Sequence, residues 1–238
     1  MIEEISEQIF ADCRGVAEGA FVWAPVPHLE EVPRILNVER AASEDHFATR
    51  FDISQINNSH FKRKTKLPIK ALGLGETEEL LISKSKKRPC IVLTQEKTQF
   101  SDSDLQEQIG KRKHLQDNSF ILAPLYGIET EDDKSGFPPI MVSRIRSLMY
   151  SQFFYVPSKC PKTRHAFKSP GVLRLDRLFP SLPSRGVDPM NFKLSEEVFE
   201  LLRAILRERF GGEPTEALLT IRELLLETLP DEAKPPTT

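Results

Sequence analysis

Residues 86–94 decide the fold of this chain, and they read K-K-R-P-C-I-V-L-T. Three cations, of which Arg88 is the last, lead through Pro89 into an apolar run from Cys90 to Leu93. A short apolar run that begins at a proline predicts a buried strand. The cations at its mouth fit two alternatives, either a solvated strand end or a site that binds an anionic group.

Further short apolar runs, punctuated by proline and glycine, lie on both sides of this segment. They are A-F-V-W-A-P-V from Ala20, E-L-L-I-S from Glu79, S-F-I-L-A-P-L-Y from Ser119, I-M-V-S-R-I-R-S-L-M from Ile140, Q-F-F-Y-V-P from Gln152 and V-L-R-L-D from Val172. We expect the Glu79 and Cys90 strands to be joined by a tight basic turn. Many short strands with few long helices before residue 190 predict a mainly β fold with α additions, in the form of a small antiparallel barrel or sandwich.

Helical periodicity is strongest at the two ends of the chain. Ile2, Ile5, Ile9 and Cys13 recur at spacings of three and four, which predicts an N-terminal helix within residues 1–18. Two helices are predicted over 194–230, where Ser195 can cap the first and Gly211 and Gly212 can end it. A polar helix is also expected from Ser101 to about Lys113.

The predicted domain organisation follows from these elements. The β domain covers 19–193, and it contains a polar, basic insertion at about 28–76 that has no sustained period. Residues 231–238 form a polar tail that contains proline, and we expect this tail to be disordered.

The composition excludes several classes of protein. The chain has 238 residues and a net charge of −2, so any case for nucleic acid must come from local patches. No apolar run approaches the roughly 20 residues that a membrane span needs. Three widely spaced cysteines and no recognisable secretory signal in residues 1–20 indicate the cytoplasm. No nucleotide-binding or hydrolase motif appears, and Cys160 with His165 has no second pair at zinc-like spacing, so we expect neither a cofactor nor a metal.

Several of these stretches, in this order, resemble the PemK/MazF-like toxin family. The match begins at Gly19 to Val26, continues through K-K-R-P-C-I-V-L-T and F-I-L-A-P-L-Y, and ends with V-S-R-I-R-S-L and G-V-L-R-L-D-R-L. The resemblance implies an SH3-like barrel, followed by a helix that 194–210 can supply. It also implies an endoribonuclease that cuts single-stranded RNA without metal, forms a homodimer, and has an antitoxin protein as a partner.

The resemblance also implies site residues. Arg88 matches the arginine that holds phosphate charge in the family, and Arg146 matches a basic residue of a later strand. Tyr126 stands where the family often has a threonine. Ser143 and Met141 stand where some members carry an acid and an arginine. We therefore expect Arg88, Arg146, Tyr126 and Ser143 to form the catalytic site, although Tyr126 could instead be a core aromatic.

Two segments are strongly basic and could bind RNA. Lys84, Lys86, Lys87 and Arg88 give four cations in five residues, and 160–177 carries five cations against Asp176 alone. From these segments we expect Lys84, Lys86, Lys87, Arg164 and Lys168 to contact RNA, with aromatics of 153–167 stacking on bases unless they belong to the core.

Two other functions remain open at this point. No carboxylate or histidine falls at a matched catalytic position, which favours a non-catalytic SH3-like module that binds nucleic acid or an acidic protein partner. The acids that precede the basic turn, Glu78 and Glu79, also fit a solvated strand start. Residues 193–232 hold five basic against ten acidic residues, which is compatible with an interaction scaffold instead.

Overall fold

The computed structural model describes residues 6–28, 31–40, 49–62, 73–74, 77–96, 101, 103, 107, 119–182 and 186–234. The chain divides into two compact units. The main unit comprises 1–25 and 87–238, and the second unit comprises 26–86. The predicted insertion at 28–76 therefore lies within the second unit, which continues for ten more residues, to residue 86. The helix expected from Ser101 to Lys113 lies almost wholly outside the described residues.

The larger sheet of the main unit is antiparallel in every pairing whose register is defined. Its strands are β1 (Phe10–Asp12), β2 (Ala20–Pro27), β6 (Ser85–Glu96), β7 (Ser119–Gly127), β8 (Phe153–Val156), β9 (Gly171–Arg174), β10 (Phe179–Ser181) and β11 (Asp188–Leu194). They follow the order β1-β11-β2-β6-β7-β9-β8, and β10 pairs with β7 outside this path. Among the described strands no pairing joins β1 to β8, and no closed barrel is found there.

Strands β6 and β7 lie at the centre of this sheet, and both were predicted. Cys90, Ile91 and Val92 are wholly buried, as expected of a strand covered on both faces. Cys90 lies opposite Pro124 and Val92 opposite Leu122, and a register shift follows between Val92 and Thr94. This register determines which side chains meet at the charged end of β6.

Three α-helices accompany the sheet in the described part of the chain. They are α1 (Pro139–Arg146), α2 (Glu196–Arg209) and α3 (Glu216–Glu227). The two C-terminal helices were predicted, and the Ser195 hydroxyl caps α2 by accepting from the Val198 amide at 3.4 Å. The apolar stripe of α2 packs into the core of the main unit through Val198, Leu202 and Ile205.

The prediction of a strand over Ile140–Met149 is wrong, because residues 139–146 form α1. Val142 and Ile145, three residues apart, are its buried positions, which is helical spacing. Pro139 occupies the first helical turn, where a missing N–H has no cost.

The prediction of an N-terminal helix is also wrong over the described residues. Phe10–Asp12 forms β1 and pairs with β11, with Phe10 opposite Leu194. Ile9 and Phe10 are adjacent and both wholly buried, whereas an amphipathic helix with one apolar face would bury residues three or four apart. Extended backbone allows both, since neighbouring side chains of a strand point to opposite faces.

The predicted disordered tail begins with ordered structure. Asp231–Ala233 forms a turn of 3₁₀ helix, and Ala233 is 3% exposed. Arg144 on α1 donates from Nε to the Ala233 carbonyl at 2.8 Å, which holds this turn against the main unit. The last four residues, 235–238, lie outside the described part.

The second unit has its own antiparallel sheet. Its strands are β3 (Arg34–Arg40), β4 (Thr49–Gln55) and β5 (Leu80–Ile82), in the order β4-β3-β5. The strand from Leu80 was expected to pair with the Cys90 strand, but it pairs with β3, where Leu36 lies opposite Leu80. Leu36 gives Leu80 an apolar cross-strand neighbour, whereas the adjoining start of β6 is lysine-rich.

Candidate nucleic-acid interface

Arg88 and Tyr126 form a stacked pair on one face of the main sheet. Arg88 lies on β6 and Tyr126 on β7, and the guanidinium carbon is 4.3 Å from the centre of the tyrosine ring. The Cys90–Pro124 pairing, continued by two residues, places Arg88 opposite Tyr126. Both side chains are half-buried, so the pair lies at the surface of the sheet. A guanidinium over an aromatic face is attracted by the ring quadrupole and keeps its edge donors available.

Arg174, at the end of β9, joins the same cluster. Its guanidinium carbon lies 5.5 Å from the Tyr126 ring centre and 5.4 Å from that of Phe153. A third ring, that of Phe137, is 5.9 Å away. Two arginines therefore share the ring of Tyr126, and the second of them is surrounded by aromatic side chains.

Arg146 extends this arrangement toward the edge of the sheet. It is exposed on α1, and its guanidinium carbon is 5.2 Å from the ring centre of Tyr155 on β8. Tyr155 lies opposite Val172, which in turn lies opposite Tyr126, so the two tyrosines belong to one cross-strand line. Four neighbouring strands span roughly 14 Å at the usual spacing. We call the set Arg88, Tyr126, Arg174, Phe153, Tyr155 and Arg146 the arginine–aromatic row.

Asp176 is the carboxylate that borders the row. It accepts from Arg174 Nε at 2.7 Å in a two-point ion pair in which both side chains are largely covered. Burial acts to raise the pKa of Asp176, but the hydrogen bonds and charge of Arg174, helped by Arg177, outweigh it and hold the pKa below its usual value. A carboxylate with a lowered pKa is a weak base at neutral pH.

Ser143 lies near Arg146 but outside the row. It is on α1, and its hydroxyl donates to the Pro139 carbonyl at 3.2 Å. It lines a cavity of about 190 Å³ whose other walls are Arg146, Ser147, Leu225, Thr228, Leu229 and Pro230. The predicted site residues therefore divide between two places, with Arg88 and Tyr126 in the row and Ser143 in the cavity. Arg146 borders both.

The predicted RNA-binding lysines are spread over both units. Lys84 and Lys86 belong to the second unit, where Lys84 pairs with Glu31 at 2.9 Å. Lys87 belongs to the main unit and pairs with Asp188 on β11. Glu78 and Glu79, the acids that precede the basic turn, are also part of the second unit.

The other predicted RNA-binding cations are Arg164 and Lys168, which are exposed in the segment between β8 and β9. The neighbouring Phe167 is buried and packs edge-on against Phe21, with ring centres 4.9 Å apart. Phe154 is also wholly buried. Phe153 and Tyr155 are 8% and 7% exposed and belong to the same core, so the core alternative is correct for all four rings.

Arg174 is the site residue that sequence reasoning missed. It was counted in the basic segment 160–177 but not placed in the site. The signal is the alternation of V-L-R in β9, which puts Arg174 on the same face as Val172 and therefore on the face of Tyr126. Phe137 was missed because it lies in an irregular segment, where no periodicity indicates its direction.

Cys160 and His165 make separate contacts in the described structure. The Cys160 sulfur accepts from the Ile9 amide at 3.3 Å, while His165 stacks on Phe192 and contacts Asp12 at 2.7 Å. Among the described residues there is no group of three or more His, Cys, Asp or Glu side chains that could hold a metal ion. The same part of the chain contains no helix long and apolar enough to cross a membrane.

Comparison with known proteins does not assign the chain to a family. No protein-family model, curated protein or solved structure matches it.

Proposed function

We propose that this chain binds single-stranded RNA through the arginine–aromatic row. The observation that supports this most directly is the stacking of Arg88 on Tyr126, with Arg174 sharing the same ring. Guanidinium groups donate paired hydrogen bonds to phosphate oxygens, and aromatic rings offer faces on which unstacked bases can lie. The bases of single-stranded RNA are not paired to each other, so they are free to stack on aromatic side chains while nearby cations bind the phosphates.

The charge state of the row supports the same proposal. Arg88 makes no ion pair with any described residue, so no described acid neutralises its positive charge. Arg174, in contrast, is paired with Asp176, and its guanidinium carbon lies 5.5 Å from the ring centre of Tyr126. The row therefore offers the guanidinium of Arg88 beside the half-buried ring of Tyr126.

We further propose that the main unit is a divergent SH3-like barrel of the PemK/MazF-like type that acts in the cytoplasm. An antiparallel sheet followed by a helix, α2, agrees with this relationship, as does the order of the motifs. A homodimer and an antitoxin partner are part of the same proposal and rest on the family resemblance alone.

Metal-independent cleavage of RNA is the second candidate function. The convergence of two arginines on one phenol favours it, because such a group could stabilise a phosphorane and supply a proton to the leaving oxygen. A base for the 2′-hydroxyl is also needed, and Asp176 is a poor one while Arg174 holds it. Binding without turnover is accordingly our primary proposal, since base catalysis contributes roughly 10²–10⁴-fold in rate.

One assay separates these functions. The purified chain and Arg88→Ala are incubated with a long single-stranded RNA in the presence of a chelator, and both binding and cleavage are followed. We expect binding that weakens with salt and that Arg88→Ala reduces. Discrete cuts that disappear in Arg88→Ala would establish the nuclease instead. Neither binding nor cutting would rule out both proposals and favour a protein partner.

A further inference from the structure

The cavity beside Arg146 has a lining of mixed chemistry. Leu225, Leu229 and Pro230 form an apolar wall, and Ser143, Ser147 and Thr228 contribute hydroxyls. Its volume of about 190 Å³ is smaller than the roughly 300–1,000 Å³ of sites for drug-sized ligands. The cavity is therefore of a size for one ring system and not for a whole nucleotide.

The hydroxyl hydrogens of this cavity are already donated to backbone carbonyls. Ser143 donates its hydrogen to the Pro139 carbonyl at 3.2 Å, and Thr228 donates to the Leu225 carbonyl at 3.1 Å. The hydrogen of Ser147 is directed to the carbonyls of Ser143 at 3.3 Å and Leu225 at 3.4 Å. Because each hydroxyl has one hydrogen, the oxygen lone pairs remain for a ligand that donates.

Arg146 supplies the opposite chemistry. Its guanidinium has only donors, and it borders the cavity while lying over Tyr155 at the end of the arginine–aromatic row. The ligand must therefore present acceptors toward Arg146 and donors toward the hydroxyls, with a flat apolar face for the leucines and the proline.

We propose that this cavity binds a guanine base of the RNA, an inference that rests on the RNA-binding function proposed above. Guanine offers O6 and N7 as paired acceptors for an arginine, and it offers N1–H and the N2 amino group as donors for hydroxyl oxygens. Adenine has no acceptor at position 6, and the pyrimidines lack N7. The cavity thus makes the chain selective for a guanosine next to the nucleotides that the row binds.

The test compares two RNAs and four mononucleotides. Affinities are measured by fluorescence anisotropy for hexauridylate and for the same hexamer with one central guanosine, and by calorimetry for the 5′-monophosphates of guanosine, adenosine, cytidine and uridine. We expect the guanosine hexamer to bind about tenfold more tightly or better, and guanosine monophosphate to bind most tightly of the four.

Two variants examine the assigned contacts. Arg146→Lys keeps the charge but loses the planar fork, so the ratio of guanosine to uridine affinity should fall to near one. Thr228→Val should lower this ratio about fivefold. Thr220→Val is the matched control, because Thr220 lies on α3, whose C-cap is Thr228, and its hydroxyl donates to the Glu216 carbonyl outside the cavity, so the ratio should not change.

The outcomes distinguish this inference from the function on which it rests. Equal binding of both hexamers, with loss in Arg88→Ala, would overturn the guanine site and leave RNA binding intact. If no RNA binds but guanosine monophosphate does, with loss in Arg146→Lys, the cavity assignment stands and the RNA proposal is wrong. Absence of both kinds of binding overturns both.

Discussion

The guanidinium of Arg88 lies 4.3 Å from the ring centre of Tyr126, and these residues face each other across β6 and β7. The contact joins Arg88, near the start of β6, to Tyr126, near the end of β7. It places a guanidinium and an aromatic ring side by side on one sheet, and the proposed function assigns phosphate binding to the first and base stacking to the second.

The ring of Tyr126, more than its hydroxyl, should determine RNA affinity. Tyr126→Ala should weaken binding of a uridine oligomer by about 1–3 kcal/mol, because both the stacking face and the support for Arg88 are lost. Tyr126→Phe should bind within a factor of about three of the parent, and it should lose any cleavage that depends on the phenol. An equal loss in both variants by fluorescence anisotropy would contradict the stacking role.

Gly171 should be required for the position of Tyr126. A Cβ at Gly171 would lie 2.8 Å from the Tyr126 carbonyl oxygen and 2.9 Å from Leu125 Cγ, so β9 and β7 would have to separate. Gly171→Ala should reduce the free energy of unfolding by roughly 1–3 kcal/mol in urea and lower RNA affinity as well. Gly127→Ala is the control, since a Cβ there meets nothing within 4 Å. Equal stability of both variants would be inconsistent with this packing.

The ion pair between Arg222 and Glu208 should stabilise the C-terminal helices. Arg222 on α3 makes two bonds to Glu208 on α2, the shorter at 2.7 Å, and its Nε donates to the Leu148 carbonyl at 2.8 Å. Arg222→Ala should cost roughly 1.5–3 kcal/mol by chemical denaturation, because partly buried charged partners are left behind.

Arg203→Ala supplies the comparison for that measurement. Arg203 pairs with Glu18 and Glu200 while remaining 41% exposed, so its loss should cost about 1 kcal/mol or less. A larger effect for Arg203 than for Arg222 would show that burial does not govern these pairs.

The pair between Asp176 and Arg174 should make stability depend on pH in the acid range. The pKa of Asp176 is lowered in the folded state, so its contribution is complete above the unfolded pKa of about 3.9 and is lost as pH falls through the lower folded value. Asp176→Asn should be less stable than the parent by a constant amount from pH 5 to 7. Below pH 4 that difference should shrink. A difference that grows toward acid pH would reverse the assigned sign.

The sequence predicted the central strands because their signal is local. C-I-V-L and F-I-L-A are continuous apolar runs, and a run of this kind is expected to be buried whatever strands pair with it. The run I-M-V-S-R-I-R-S is short enough to fit either the two-residue period of a strand or the 3.6-residue period of a helix. The burial of Val142 and Ile145, which are three residues apart, is what distinguishes the helix. The N-terminal segment was misassigned for a similar reason, since pairing with β11 is a long-range contact that local spacing does not contain.

Three members of the arginine–aromatic row were named from the sequence, but their arrangement was not predicted. Arg88, Tyr126 and Arg146 were named from the family resemblance, yet the contact of Arg88 with Tyr126 depends on strand register. That register is fixed by a shift between Val92 and Thr94, which no pattern in the sequence indicates. Arg174 was missed because its partners, Tyr126, Phe153 and Phe137, come from three separate segments.

The most direct test of the account is the salt dependence of single-stranded RNA binding by the parent chain and by Arg88→Ala. Lys134→Ala serves as the control, because Lys134 is an exposed cation already paired with Glu129. We expect log affinity to fall linearly with log salt in the parent, and the slope to be about 0.7 shallower in Arg88→Ala, which corresponds to one lost phosphate contact. Lys134→Ala should keep the parent slope. An unchanged slope in Arg88→Ala, or parent binding that salt does not weaken, would contradict the claim that Arg88 binds an RNA phosphate.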